Sequence, residues 1–227
     1  MTGMNQDLYL RSTPTIDFES RALQEFVAAN SPANASREER AIALYYAVRD
    51  QIRYDPYTIS QNLRDYSASV TLAAGRGWCV TKAILYAACC RAIGVPARLG
   101  YADVRNHMST SNLRRQMGTD IFYWHGYTEV YLNSRWVKAT PAFNIELCNK
   151  FRLKALDFNG REDSIYHPFD LDGRKHMEYL RFYGEFADLP FEQMLGDLLR
   201  VYPKLGNSQQ QGDFEREVEL ETTQTGR

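Results

Sequence analysis

The spacing of apolar and polar residues divides the chain into a helical first part, a strand-rich middle part and a mixed final part. Apolar residues recur at helical spacing over 18–29, and a second helical stripe covers 36–52 behind an N-terminal capping box. Residues 57–75 show no such period and are predicted to form a loop. Residues 80–93 are apolar on nearly every side, so we expect a buried helix that ends at Gly94 in a left-handed C-cap.

The middle part carries strand signals. Three runs predict strands, at residues 97–104, 124–132 and 135–143. Asn133 and Ser134 separate the last two runs and favour a hairpin turn. The polar residues 105–120 are predicted to form a loop or a lid. Helices followed by antiparallel strands indicate the α+β class.

The final part of the chain is less regular in pattern. Residues 145–205 indicate mixed loops with one amphipathic helix over 191–202. Residues 206–227 are polar and almost without apolar side chains, so a flexible tail is predicted there. We therefore expect one domain over residues 1–205, made of a core over 36–144 and a C-terminal extension.

Composition and charge narrow the possible partners. The chain has 27 basic and 28 acidic side chains, a balance that gives no electrostatic reason to expect nucleic acid or an anionic membrane as a partner. No stretch approaches the ~20 apolar residues that cross a bilayer, and the first residues lack the features of a secretory signal. Four cysteines are too few for a disulfide framework, so we expect reduced thiols and a cytoplasmic protein.

Cys79 has the strongest case for chemistry among the four cysteines. It follows the tight sequence GRGW and begins the predicted helix, where unpaired N–H groups and the helix dipole favour a negative charge. A thiol attacks a carbonyl carbon only as the thiolate, so these features predict a lowered pKa and a nucleophile. Cys89 and Cys90 lie within the apolar helix and are expected to be buried hydrophobic residues.

A cysteine nucleophile needs a base, and the chain has four histidines. His125 opens the second predicted strand, where a side chain can be held rigidly. His107 lies in the polar segment, while His167 and His176 lie in the C-terminal extension. The spacing HPFDLDGRKH matches no standard ligand pattern, so no metal site is predicted.

Three motifs, in order, resemble those of the transglutaminase-like superfamily. They are GRGWC with the Ala-rich helix and VPAR that follow, HGYTEVY starting at His125, and WVKATP ending at Pro141. The similarity covers residues 36–144. It implies a papain-like core in which the Cys79 helix packs on an antiparallel sheet. It also implies Cys79 as nucleophile and His125 as base, with no cofactor and no metal.

The third motif departs from the family pattern, because Thr140 stands where members usually carry an acid. Threonine can accept a hydrogen bond from an imidazole but cannot balance its positive charge. Three interpretations are open. Thr140 orients His125 as a neutral third member; Asn144, or an acid such as Asp120 or Asp103, takes that role; or the site is inactive. A weak orienting group can cost several orders of magnitude in rate.

The resulting hypothesis is acyl chemistry on an amide or ester carbonyl, through a thioester at Cys79. Water resolves the thioester in a hydrolase such as a protease or amidase, and an amine resolves it in an acyltransferase. The Cys79 backbone N–H and the Trp78 indole are candidate donors to the oxyanion. The expected partner is a peptide, a protein or a small amide. The alternative is a non-catalytic peptide-binding module on the same scaffold.

Overall fold

The computed structural model describes residues 6–106, 109–166, 171–173, 176–202 and 212–224. His107 and His167 lie outside these ranges. None of the helices in the described ranges combines the length and the apolar character needed to cross a bilayer.

Eight α-helices and six β-strands make up the described chain. The helices are α1 (Arg21–Asn30), α2 (Arg37–Gln51), α3 (Ala68–Ala74), α4 (Cys79–Ala92), α5 (Ser111–Met117), α6 (Ile145–Phe151), α7 (Phe191–Val201) and α8 (Phe214–Gln224). The strands are β1 (Arg53–Tyr54), β2 (Arg76–Gly77), β3 (Ala97–Asn106), β4 (Ile121–Leu132), β5 (Arg135–Ala139) and β6 (Met177–Phe186). Short 3-10 helices lie at Gln6–Leu10, Pro56–Thr58 and Leu63–Tyr66.

The main sheet has four strands in the order β5-β4-β3-β6, and all neighbouring strands are antiparallel. In the β3–β4 ladder Tyr101 lies opposite Gly126, and Ala102 lies opposite His125. β1 and β2 form a separate parallel pair directly ahead of α4. The fold is therefore α+β with an antiparallel sheet, as predicted.

The core lies between α4 and the sheet. Residues 79–91 of α4 are all buried, which agrees with the apolar pattern on every side of this helix. The Thr128 hydroxyl of β4 donates to the Ala83 carbonyl at 2.7 Å, so the strand and the helix are also joined by a buried hydrogen bond. This contact fixes the face of β4 that meets the helix.

Several local predictions are confirmed. Ser36 and Glu39 form the capping box at the start of α2, with hydrogen bonds of 3.2 and 2.8 Å. Gly94 follows α4 with φ of +73°. Asn133 and Ser134 have φ of +50° and +64°, which is the backbone of a tight hairpin turn between β4 and β5.

Two predicted loops contain helices. The loop prediction for 57–75 is wrong where α3 forms between a Ser67 N-cap and a left-handed Gly75. The predicted lid over 105–120 contains α5, which Thr110 caps. Both helices have only seven residues, too few for a helical period to stand out in the sequence.

The C-terminal part is more regular than predicted. α7 forms where a helix is expected, but α6 and β6 also form, and β6 becomes the fourth strand of the main sheet. The tail prediction is wrong for residues 212–224, because α8 forms there. Its buried side chains are Phe214 and Val218, so its apolar content is low and polar contacts must hold it in place.

Candidate active site

Cys79 is the first residue of α4, as predicted, and Trp78 before it has the extended backbone of an N-cap. The turn that leads to it is compact. Gly75 has φ of +64°, a conformation that favours glycine. A Cβ on Gly77 would lie 2.3 Å from the Thr81 hydroxyl oxygen. Both glycines are therefore needed to present Cys79 at the helix start.

Strand β4 touches this helix start through Gly126. A Cβ on Gly126 would lie 2.8 Å from the Val80 Cα and 3.2 Å from the Cys79 carbonyl oxygen. The Gly126 N–H lies close enough to the Cys79 sulfur to lower the pKa of the thiol, which burial raises overall. His125 immediately precedes the residue that contacts the sulfur. The structure thus brings the two main candidates to one helix–strand junction.

Burial decides the charge of both side chains. Cys79 is 5% exposed, and burial raises the pKa of its thiol to about 11, although the N–H groups of Gly126, Val80 and Cys79 lower it. Burial, with a smaller contribution from His176, lowers the pKa of His125 to about 4. The lowered thiol pKa expected from the helix start is wrong here, because the N–H groups only partly offset the loss of water. Both side chains are neutral at pH 7.

The other three cysteines are also free and buried. Burial raises the pKa of Cys90 and of Cys148 to about 12, and that of Cys89 well above its usual value. The hydrophobic role predicted for Cys89 and Cys90 is confirmed by their complete burial.

Aromatic rings surround His125. The ring centroids of Tyr166 and Tyr179 lie 5.9 and 6.2 Å from that of His125. The His125 Nε2 is buried and has no hydrogen-bond partner among the described residues. An unpaired nitrogen in such a place costs stability, which is typical of groups kept for function.

Thr140 is buried beside the same tyrosine. Its hydroxyl makes no hydrogen bond of good geometry within the described chain. It is nevertheless close enough to the Tyr179 hydroxyl to lower the pKa of that phenol, which burial raises overall. Thr140 and His125 therefore share Tyr179 as a neighbour, and each has a buried polar atom without a partner.

The alternative orienting residues are engaged elsewhere. Asn144 accepts from the Tyr54 backbone N–H at 3.2 Å and donates to Glu146 at 2.8 Å. Asp120 pairs with Arg105 at 3.2 Å, and Asp103 accepts from the Tyr183 hydroxyl at 2.8 Å. Within the described ranges, none of these three side chains is hydrogen-bonded to His125.

The Trp78 indole lies in the core next to Cys79. Its ring packs edge-on against Tyr66 at 6.3 Å. Its Nε1 is buried without a hydrogen-bond partner in the described part of the chain. A buried N–H in this state is available to an incoming acceptor, so Trp78 stays a candidate oxyanion donor.

Sequence analysis missed four tyrosines that interact electrostatically with the Cys79 sulfur. Burial is the main cause of their raised pKa values, and the Cys79 sulfur adds to it in each case: Tyr54, Tyr101, Tyr179 and Tyr202. They belong to β1, β3, β6 and the end of α7. The fifteen tyrosines of the chain were the only signal, and composition does not show which of them meet.

His176 is also closer to the site than the sequence indicates. Its ring lies edge-on to Tyr166 at 5.5 Å, and Tyr166 contacts His125. Within the described ranges, no three His, Cys, Asp or Glu side chains are grouped so that they could hold a metal ion.

The comparison with protein families identifies the chain. The model of the transglutaminase-like superfamily matches residues 22–141, which is more than half of the 227 residues. The chain therefore belongs to the transglutaminase-like superfamily. No curated protein matches the chain.

Two solved structures resemble part of the chain. A "putative cysteine protease" from Cytophaga hutchinsonii is 20% identical, with a TM-score of 0.46 over 61% of this chain and 43% of that chain. A "putative protease" from Parabacteroides distasonis ATCC 8503 is 12% identical, with a TM-score of 0.39 over 60% of this chain and 26% of that chain. The matched region spans less than half of either of those proteins.

Proposed function

We propose that this chain is a cysteine hydrolase or acyltransferase that acts on the amide or ester carbonyl of a peptide, a protein or a small amide. The observation that carries the proposal is the junction at Gly126, where β4 packs directly against the Cys79 and Val80 backbone while the same strand supplies His125. Membership of the transglutaminase-like superfamily supports the same chemistry.

In this mechanism the Cys79 thiol gives its proton to His125 as the sulfur attacks the carbonyl carbon. A carbon–sulfur bond forms, and the tetrahedral intermediate expels an amine or an alcohol that takes the proton from His125. Water or an amine then attacks the thioester, and the thiol recovers its proton. Because the resting thiol and imidazole are both neutral, proton transfer accompanies the attack.

The intermediate needs donors for its oxyanion and a fixed imidazole. The Cys79 backbone N–H supplies one donor, and the unpaired Trp78 Nε1 supplies the second. We assign the orienting role to Thr140, which shares Tyr179 as a neighbour with His125 and whose hydroxyl has no other hydrogen-bond partner within the described residues. A hydroxyl in this role leaves the imidazolium without a balancing charge.

The test is to replace Cys79 with Ala and follow p-nitrophenyl acetate, a generic ester that releases a coloured product when it acylates a thiol. We expect the variant to lose both ester turnover and iodoacetamide labelling at position 79. Cys148→Ala is the matched control, since it also removes a buried thiol but should leave both signals intact. Turnover in the Cys79 variant equal to that of the unmodified protein would defeat the proposal.

A second candidate function is a non-catalytic peptide-binding module. The neutral state of the thiol and of the imidazole favours it, together with the uncharged Thr140. A module would show no release of p-nitrophenolate above the Cys79→Ala background, and Cys79 would label no faster than Cys148.

A further inference from the structure

α8 is a short helix that depends on other elements for its position. It has 11 residues, a length at which an isolated helix is marginal in water. Its two buried apolar side chains are Phe214 and Val218, and most of its remaining contacts are made by acidic residues. Its place on the molecule is therefore set by a few polar and ionic contacts.

Glu217 makes the most extensive of these contacts. Its carboxylate accepts from the Tyr57 hydroxyl at 2.8 Å, the Thr110 hydroxyl at 2.8 Å and the Asn112 amide at 2.6 Å. Tyr57 belongs to a 3-10 helix, while Thr110 and Asn112 belong to the start of α5. One carboxylate thus joins two separate segments to α8.

Two other acidic residues, Glu215 and Glu219, tie α8 to β1 and α6, and Glu221 accepts from the Ser111 backbone N–H of α5 at 2.8 Å. Glu215 lies 2.9 Å from the Arg53 guanidinium, and Glu219 lies 2.6 Å from the Lys150 ammonium. The side chains of Arg53 and Glu219 are more than half exposed, so these ion pairs are weak and sensitive to salt.

The first turn of α8 packs on Tyr54, which pairs with Gly77 two residues ahead of Cys79. The Phe214 ring packs against those of Tyr54 and Tyr57, at 5.6 and 6.3 Å. Tyr54 is itself buried, and the charge of the Cys79 sulfur adds to the effect of burial in raising the pKa of its phenol. One aromatic residue, Tyr54, therefore lies between Phe214 and the strand that leads to Cys79.

A polar cavity of about 600 Å³ opens beside Tyr54. Its walls include Arg53 and Tyr54 of β1, Arg76 of β2, and Asp213 and Glu215 at the start of α8. β2 continues through Trp78 into Cys79, so the cavity lies on the chain segment that presents the sulfur. The first turn of α8 therefore forms one wall of a cavity beside the segment that leads to Cys79.

We propose that α8 is a displaceable strap that occupies the surface of Tyr54, Tyr57, Asn112 and Lys150, and that its release opens the way to Cys79. The proposal rests on the proposed function and concerns the regulation of the same site. Release removes Phe214 from Tyr54 and lets water reach the sulfur. Because burial is the main cause of the high thiol pKa, hydration lowers that pKa and makes Cys79 more reactive.

The experiment uses the full-length chain in three versions. Glu217→Ala removes the acceptor for three donors, and Val218→Asp places a charge where a side chain is fully buried. Glu25→Gln is the control, since it removes an exposed carboxylate that pairs only with Arg21 in the described chain, far from α8 in sequence. The rate of Cys79 labelling by iodoacetamide is measured by peptide mass, and the position of α8 by hydrogen exchange of residues 214–224.

We expect both α8 variants to exchange faster over 214–224 and to label at Cys79 at least about tenfold faster than the control, in line with the loss of hydrogen bonds to a charged group. For the unmodified protein, labelling should rise with NaCl concentration, and for Val218→Asp it should not. Fast exchange with an unchanged labelling rate would overturn the strap, as would unchanged exchange in both variants. Faster labelling without turnover of the ester probe in any version would leave the strap in place and defeat the proposed function instead.

Discussion

Cys79 and Lys82 lie one turn apart on α4, and both are buried, yet their surroundings differ. The Lys82 Nζ donates at 2.9 and 2.5 Å to two carbonyl groups at the end of α2, those of Arg49 and Ile52. Such carbonyls lack partners inside their own helix, so the lysine supplies what α2 needs. Around Cys79, by contrast, Trp78 Nε1 and His125 Nε2 have no partner within the described chain.

Lys82 is thus a buried polar group that stabilises the fold, whereas the unpaired groups around Cys79 are candidates to bind a ligand. Around Lys82 every donated hydrogen bond already stabilises the native state. Around Cys79 unpaired atoms lower stability, and under the proposed function they would gain partners from a substrate. Substitutions in the first region should therefore reduce stability, and substitutions in the second should reduce activity.

The largest expected effect comes from His125→Ala. Loss of the base should slow acylation by p-nitrophenyl acetate by about 10²- to 10⁴-fold. The free energy of unfolding should fall by only about 1–2 kcal/mol, because the lost packing is partly offset by removal of an unpaired nitrogen. Release of p-nitrophenolate measures the acylation rate, and urea unfolding measures the free energy of unfolding.

His176→Ala is the matched control for this substitution, because it removes a second buried imidazole, which packs against Tyr166 as His125 does. Its acylation rate should stay within a few-fold of that of the unmodified protein. An equal loss of rate in both variants would contradict the assignment of His125 as the base.

Lys82→Met should show the opposite balance. Two buried carbonyl groups lose their donor, so the free energy of unfolding should fall by about 2–4 kcal/mol while the acylation rate per folded molecule stays the same. Burial lowers the pKa of Lys82 from 10.5 to about 7. Between these values the unfolded chain holds a proton that the native lysine lacks, so the lysine's contribution to stability rises with pH.

The pH dependence is best measured as a difference. The free energy of unfolding of the unmodified protein minus that of Lys82→Met should increase from pH 7 to about 10, because the buried tyrosines and cysteines contribute equally to both. A difference that is flat or decreases over this range would show that the native lysine is charged.

The smallest effect is expected from Thr140→Asp, which restores the acid usual in the family. A carboxylate beside His125 should raise the pKa of the imidazole, so the acid limb of the acylation rate should move to higher pH by roughly 1–3 units. The rate at pH 7.5 should change less than tenfold. Thr140→Val keeps the shape without the charge and should leave the acid limb unmoved. Identical limbs in both variants would place Thr140 away from the imidazole.

The parts of the site that could be predicted are those encoded in short stretches of sequence. GRGWC predicts Cys79 at a helix start, and HGYTEVY predicts His125 on the strand that meets it. The tyrosines that interact electrostatically with Cys79 could not be predicted, because residues such as Tyr54 and Tyr202 come from segments that are far apart in the chain. Those segments approach each other only in the folded protein. The prediction of a lowered thiol pKa failed for the same reason, because the loss of water around Cys79 depends on how distant segments pack.

α8 shows the limit of composition as a guide. The polar sequence after residue 206 predicts a flexible tail, because a segment with few apolar residues cannot be stabilised by apolar burial alone. Instead, Glu217 uses hydroxyl and amide donors contributed by distant segments. No pattern within the helix records those donors.

The bare backbone at Gly126 sets the spacing between the strand and the helix. A methyl group there would come within 2.8 Å of the Val80 Cα, closer than carbon atoms pack. Alanine would act as a wedge and push the imidazole away from the sulfur by a fraction of an ångström to about 1 Å, a displacement that can cost about 100-fold in rate. Under the proposed function, the alignment of the two side chains thus depends on a hydrogen atom that takes no part in the reaction.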